Sequence, residues 1–207
     1  MFKGTPEIIA RRREEIVDAC EQLYQTMNFK DITLKEIGNV TSFSRPTIYN
    51  YFHTKEEIFL ALYEREYDRW NADLKDILNS NQKYTGRQLA ELIAKSLERR
   101  SQLLKLLAMN NYDMESNSRE ELLVSFKKAY GKSLRYFREI LEKHCQGLAD
   151  TEVQQILYVF FPFMFGIYPY AEVTAKQKAA MKEAEVEYRY QSIYEITYNC
   201  LIRLLDN

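Results

Sequence analysis

Between Ser42 and Glu57 the chain reads SFSRPTIYNYFHTKEE, with Tyr49, Tyr51 and Phe52 close together and Arg45, Thr47, Asn50 and Lys55 among them. A buried helix does not favour those polar groups, and a plain surface helix does not favour those rings. Their chemistry suits a polar, charged and stacked partner. Arg45 can donate two parallel hydrogen bonds to a guanine edge, and Thr47 offers a hydroxyl to bases and a methyl to thymine. Tyr49 and Tyr51 carry hydroxyls on stiff arms, suited to phosphate oxygens. Lys55 falls in the first turn of the next helix, where free amides and the helix dipole favour phosphate.

Such groups act only if short elements aim them. Thr5 followed by Pro6 marks a helix start, and Ile9, Ile16, Cys20, Leu23 and Met27 trace its apolar face to about Met27. Thr33 and Glu36 form a capping box that opens a second, short helix, and Thr41-Ser42-Phe43-Ser44 reads as a turn. Arg45 to Phe52 is the third helix, with Pro46 tolerated in its first turn. Thr54 and Glu57 make another capping box and start a long helix, whose apolar stripe runs from Ile58 to Leu78. Three helices in some fifty residues, two of them joined by a four-residue turn, have the layout of a helix-turn-helix. Ile32, Ile37, Val40, Phe43 and Ile48 would supply its core. Ser44, Arg45, Thr47, Tyr49, Asn50 and Tyr51 would then face outward.

The run ITLKEIGNVTSFSRPTIYNYFHTKEEIF resembles the DNA-binding signature of the TetR family of bacterial transcription regulators. That pattern reads roughly T-x-x-x-I-A, a small-residue turn, then S/T-x-x-T-L-Y-x-Y-F-x-x-K-E-E-L. Thr33, Ile37, Ser44, Thr47, Ile48, Tyr49, Tyr51, Phe52, Lys55, Glu56, Glu57 and Ile58 occupy it. Two positions depart: Ser42 stands where the family has a turn glycine, and Gly38 where it has alanine. The resemblance covers Ile32 to Phe59. It implies DNA contact through Thr33, Lys35, Ser44, Arg45, Pro46, Thr47, Tyr49, Asn50, Tyr51 and Lys55. Charge adds little, since residues 1–55 hold eight Lys/Arg against seven Asp/Glu. The arginines Arg11, Arg12 and Arg13 read as a solvated helix face.

Beyond a polar break at Asn79–Gly86, helices are expected over about Arg87–Arg100, Ser101–Asn111, Ser118–His144, Asp150–Ala171 and Glu183–Leu205. Ser118 and Glu121 form a further capping box. Six Gly and four Pro in 207 residues favour helices over turn-rich strands. The expected fold is all-α, with a helix-turn-helix domain over 1–53. The fourth helix would join it to a larger helical domain over 54–207 for ligand binding and dimerisation. The resemblance implies that the last two long helices build the homodimer interface, so that two readers meet a double-stranded, pseudo-palindromic operator. It also implies a small-molecule effector. Tyr67, Trp70, Met109, Tyr112, Phe126, Tyr130, Phe137 and Phe165 are the candidates for lining its pocket, each weighed against an ordinary core role.

Other classes find no support. There is no GxSxG, Walker loop, HExxH or dinucleotide fingerprint, so the chain reads as no enzyme, with no cofactor. Cys20, Cys145 and Cys200 are odd in number and widely spaced, and with only two histidines neither a disulfide framework nor a metal site is expected. The N-terminus carries no apolar stretch of signal length, and the run Tyr158–Ala171 is short and holds two prolines, which predicts a cytoplasmic protein without membrane partners. The sequence points to a ligand-responsive, DNA-binding repressor. The rival is a helical protein of the same fold that acts through protein or small-molecule binding without DNA.

Overall fold

Four short-range capping devices explain where several helices begin. The Thr33 hydroxyl accepts from the Lys35 and Glu36 amides at 3.2 and 3.4 Å and donates to the Glu36 carboxylate. Thr85 with Gln88, Thr174 with Gln177, and Ser192 with Glu195 form reciprocal boxes. The computed structural model describes residues 5–109 and 111–206, apart from the side chain of Asn111. Among the described residues there are helices and no strand: α1 (Pro6–Thr26), α2 (Leu34–Val40), α3 (Arg45–Ile48), α4 (Lys55–Asn79), α5 (Gly86–Glu98), α6 (Ser101–Leu107), α7 (Asn111–Ser116), α8 (Glu120–His144), α9 (Asp150–Ala171), α10 (Ala175–Glu183) and α11 (Ile193–Leu205).

The chain divides into two compact units, one of Met1–Arg65 with Asn110–Ala129, the other of Glu66–Met109 with Tyr130–Asn207. The boundary therefore falls inside α4 and again inside α8, and a segment from the middle of the chain joins the first unit.

In the first unit α2 packs against α1 and α3. Ile16, Cys20, Ile32, Ile37, Ile48, Phe52 and Phe59 form its buried centre. Phe59 meets Tyr24 and Phe29 edge-on, with ring centroids 5.2 and 4.7 Å apart. Arg65, near the middle of α4, reaches Glu14, Asp18 and Glu21 of α1 at 2.6, 2.7 and 2.9 Å. In the second unit α5 packs against α11, and both α6 and α11 against α9. Trp70 is wholly buried there, its indole N–H donating to Ser96 Oγ at 3.0 Å.

Gly86 marks a close approach within the second unit. A Cβ at that position would lie 2.9 Å from the Leu205 carbonyl oxygen and 3.3 Å from Leu205 Cβ. The backbone at the end of α11 must move to admit it. Gly86→Ala is therefore expected to destabilise the protein by about 1–3 kcal/mol, despite alanine's better helix propensity. Urea unfolding measures this, and an unchanged or raised midpoint would contradict it.

Several expectations need correction. Val40 is 41% exposed and leaves the reader's core to Ile32, Ile37 and Ile48, with Phe43 half-buried beside it. The third helix is shorter than expected, because after Ile48 the chain tightens into a turn in which the Tyr51 and Phe52 amides share the Ile48 carbonyl at 2.9 and 3.0 Å. The helix expected over Ser101–Asn111 stops at Leu107; Asn110 lies outside the described residues, and Asn111 opens α7. The Ser118 hydroxyl is buried without a partner and caps nothing. Its place is taken by Glu57, whose Oε1 accepts from the Arg119 amide at 3.2 Å. The helix expected over Glu183–Leu205 starts only at Ile193, where Ser192 and Glu195 cap it. Before it lies α10, ended by Glu185 in the left-handed region at φ 53.

Candidate nucleic-acid interface

The polar edge of α3 is built from the residues on either side of its buried Ile48. Ser44, Arg45, Pro46, Tyr49 and Asn50 are exposed and Thr47 is half-buried. The Ser44 and Thr47 hydroxyls lie 3.0 Å apart. Arg45 Nη2 donates to Tyr49 Oη at 3.0 Å, and its guanidinium sits 5.6 Å from the Tyr49 ring centroid. Arginine and tyrosine thus order one another, which holds a planar donor and a hydroxyl outward on one helix. Lys35 is exposed on α2, whereas the Thr33 hydroxyl is already engaged in capping that helix.

Two residues expected to contact DNA are turned inward. Tyr51 is 5% exposed, its hydroxyl accepting from Arg12 at 3.2 Å. Burying its ring beside the Phe52 turn removes more apolar surface from water than an outward pose would. Lys55 is half-buried, with Nζ donating to the carbonyls of Phe29 and Ile32 at 2.9 and 3.2 Å and lying 4.1 Å from the Phe29 ring centroid. Lys55 closes the loop between α1 and α2 with two donated hydrogen bonds and the Phe29 ring contact.

Other contributors carried no motif. Glu15 accepts from the Ser42 amide at 2.9 Å and the Ser42 hydroxyl at 2.6 Å. These bonds hold the Glu15 carboxyl below its ordinary range, the hydroxyl contributing most. They also close the turn where the family pattern has glycine, and Ser42 does so without a positive φ. Arg12 and Arg13 are half-buried, not a solvated face. Arg13 covers the Phe52 ring at 4.4 Å and donates to the Tyr51 carbonyl at 3.3 Å. Burial, followed by the nearby positive charge of Arg119, lowers the Arg13 pKa. Arg119 grips Glu57 at 2.7 Å. The only sequence clue to these ties was the presence of charges at positions where helix faces would meet.

In the second unit, a cavity of about 450 Å³ is lined by Tyr130, Leu134, Leu157, Tyr158, Phe161 and Pro162, with Arg135, Arg138 and Gln154 at its polar edge. Arg138 is paired with Asp150 at 2.7 Å and with the Gln154 amide oxygen. Of the residues expected to line a pocket, only Tyr130 does so here. Tyr67, Trp70 and Phe137 are core, packed through the contacts of Tyr67 with Tyr130 and of Trp70 and Phe137 with Phe161. Phe126 is buried in the first unit beside Tyr63. Met109 is half-buried just past α6. Tyr112 and Phe165 are 81% and 40% exposed, outside this cavity's lining. Tyr67, Trp70, Phe126 and Phe137 are buried on the apolar stripes of their helices, the usual use of a large ring.

A family profile described as "Bacterial regulatory proteins, tetR family" matches residues 16–62, and one described as "Tetracyclin repressor-like, C-terminal domain" matches residues 64–190, more than half of the chain. The chain belongs to the TetR family. It is a transcription regulator whose DNA-binding helix-turn-helix domain is the matched N-terminal part. No curated protein sequence gives a match. Among solved structures, the fatty acid degradation regulator FadR from Bacillus halodurans is 16% identical, with 99% of this chain and 97% of that one covered and a TM-score of 0.59. FadR from Bacillus subtilis, in complex with stearoyl-CoA, is 16% identical over 93% and 97% of the two chains, with a TM-score of 0.58. Thermus thermophilus FadR, a TetR-family repressor in complex with lauroyl-CoA, is 18% identical over 93% of each chain, with a TM-score of 0.54. At these identities the likeness is one of fold. No single helix among the described residues of this TetR-family chain is long and apolar enough to cross a membrane.

Proposed function

We propose that this TetR-family regulator is a cytoplasmic repressor that binds a pseudo-palindromic operator as a homodimer and releases it when a small effector fills the second unit. The observation that carries the reading is the outward polar edge of α3: Arg45 and Tyr49 ordered by one hydrogen bond, flanked by Ser44, Thr47 and Asn50. A helix N-terminus with these side chains suits the major groove.

Dimerisation is supported by α9. Tyr158, Pro162, Phe165 and Pro169 recur at helical spacing and are all exposed, while Phe160, Phe161, Met164 and Ile167 are buried behind them. A homodimer that meets two adjacent half-sites must present its readers roughly 34 Å apart, one turn of DNA. The effector reading is supported by the cavity of the second unit, apolar along its walls with arginines at the edge. That lining suits a long acyl chain with an anionic head, the type of ligand seen in the two FadR complexes. Both α4 and α8 contribute residues to both units.

Selection of duplexes from a random pool, followed by titration of the winner, tests the first part. A symmetric consensus bound by a dimer is expected, and a purely non-selective, salt-driven association would refute it. Adding stearoyl-CoA or lauroyl-CoA should raise the thermal midpoint and weaken operator binding. No response to either rejects this effector class and leaves the DNA reading standing.

A further inference from the structure

Helix α3 has only four residues, Arg45–Ile48, so its direction is set by what its two ends are fastened to. The N-terminal end is fastened through Ser42 to Glu15. The C-terminal end runs into Tyr51–Glu57, and there a single side chain from elsewhere in the first unit dominates. Arg119 Nε donates to Glu57 Oε1 at 2.7 Å and Nη2 to Oε2 at 3.0 Å, a two-pronged grip. The same Nη2 donates to the Tyr51 carbonyl at 3.2 Å. Glu57 Oε2 also accepts from the His53 amide at 2.7 Å, and the Asn117 carbonyl accepts from Thr54 Oγ1 at 2.9 Å. Residues 117–119, which lead into α8, therefore hold the exit of the reader helix at the Tyr51 carbonyl, the Glu57 carboxylate and the Thr54 hydroxyl.

We propose that Arg119 is a positioning residue for DNA reading: by tying Tyr51 and Glu57 to the start of α8 it fixes where α3 ends, and so where Arg45, Thr47 and Tyr49 point. The proposal rests on the assignment of α3 as the DNA reader. One feature separates this role from bulk stabilisation: the hydrogen bonds of Arg119 to Tyr51 and Glu57 converge on the backbone and the carboxylate that continue α3.

The test compares wild type, Arg119→Gln and Arg119→Lys on two duplexes, the selected operator and a shuffled sequence of equal length. Misaiming a reader removes base contacts and spares the phosphate attraction. Arg119→Gln should lose on the order of tenfold in operator affinity with shuffled-duplex affinity unchanged. Lysine keeps the charge for Glu57 but lacks the fork that also reaches Tyr51, and should fall between. Equal weakening on both duplexes would mean lost folded protein, and unchanged affinity on both would mean no role; either overturns the proposal. Should wild type itself not discriminate between the duplexes, the DNA-reading assignment fails and this role fails with it. Hydrogen exchange without DNA separates the clamp from the reading: faster exchange at the His53 and Glu57 amides in Arg119→Gln shows the clamp alone, and unchanged exchange overturns the proposal whatever the DNA result.

Discussion

Replacing Arg45 and Tyr49 together by alanine is expected to abolish selective operator binding while leaving the fold intact. Both side chains are exposed, and α3 keeps its buried anchor, Ile48. Exposed substitutions away from special features change stability by no more than about 0.5 kcal/mol. The loss falls on recognition. A good base contact contributes roughly 1–3 kcal/mol of discrimination, so the pair should cost on the order of 100-fold in affinity for the operator. The two single variants should not add to the double, because the 3.0 Å bond from Arg45 to Tyr49 makes each the other's support. Isotherms on selected and shuffled duplexes give the answer. Retained affinity with unchanged base preference would remove α3 from the interface.

The second large effect is expected at Glu57. Its side chain is 1% exposed and accepts four hydrogen bonds, from the His53 amide and from the amide and guanidinium of Arg119. Glu57→Ala strands those donors. Removing one partner of a buried ion pair costs about 3–5 kcal/mol, and the partial exposure of Arg119 lowers this to about 2–3 kcal/mol here. Burial pushes the Glu57 carboxyl up, but the Arg119 guanidinium and the two amides outweigh it, and the net pKa lies below the ordinary 4.5. A carboxylate with a lowered folded pKa stabilises the fold fully above the unfolded value, and that share is lost as pH falls through the folded one. Wild type should therefore lose stability below about pH 4.5 more steeply than Glu57→Gln, which has no proton to take up. Urea midpoints across an acid pH series check this. Parallel profiles for the two proteins would show that the carboxylate carries no such linkage.

Glu57 also illustrates how far the sequence could be read. As part of a Thr54-x-x-Glu57 capping box its local role was legible, and the Glu57 amide does donate to Thr54 Oγ1 at 3.2 Å. Its partner Arg119 lies 62 positions away, and no periodicity connects them. Helix α10 was legible in principle, since Thr174 and Gln177 form a capping box. It was missed because it buries no residue and so leaves no apolar stripe. Tyr112 and Tyr67 look alike in sequence, yet one is 81% exposed and the other 1%.

By itself the sequence determined the all-α class, the family signature, the position of α1 to α4, and the split of α3 into a buried Ile48 and a polar edge. These are local properties: caps act across three residues, and a helix face repeats every three or four. Tertiary structure alone decided that Tyr51 and Lys55 turn inward, that Glu15 closes the Ser42 turn, that Tyr67, Trp70, Phe126 and Phe137 are core, and that Arg119 holds the reader's exit. Each depends on which helices meet, and long-range meeting is set by the burial of whole faces, which short-range spacing does not encode.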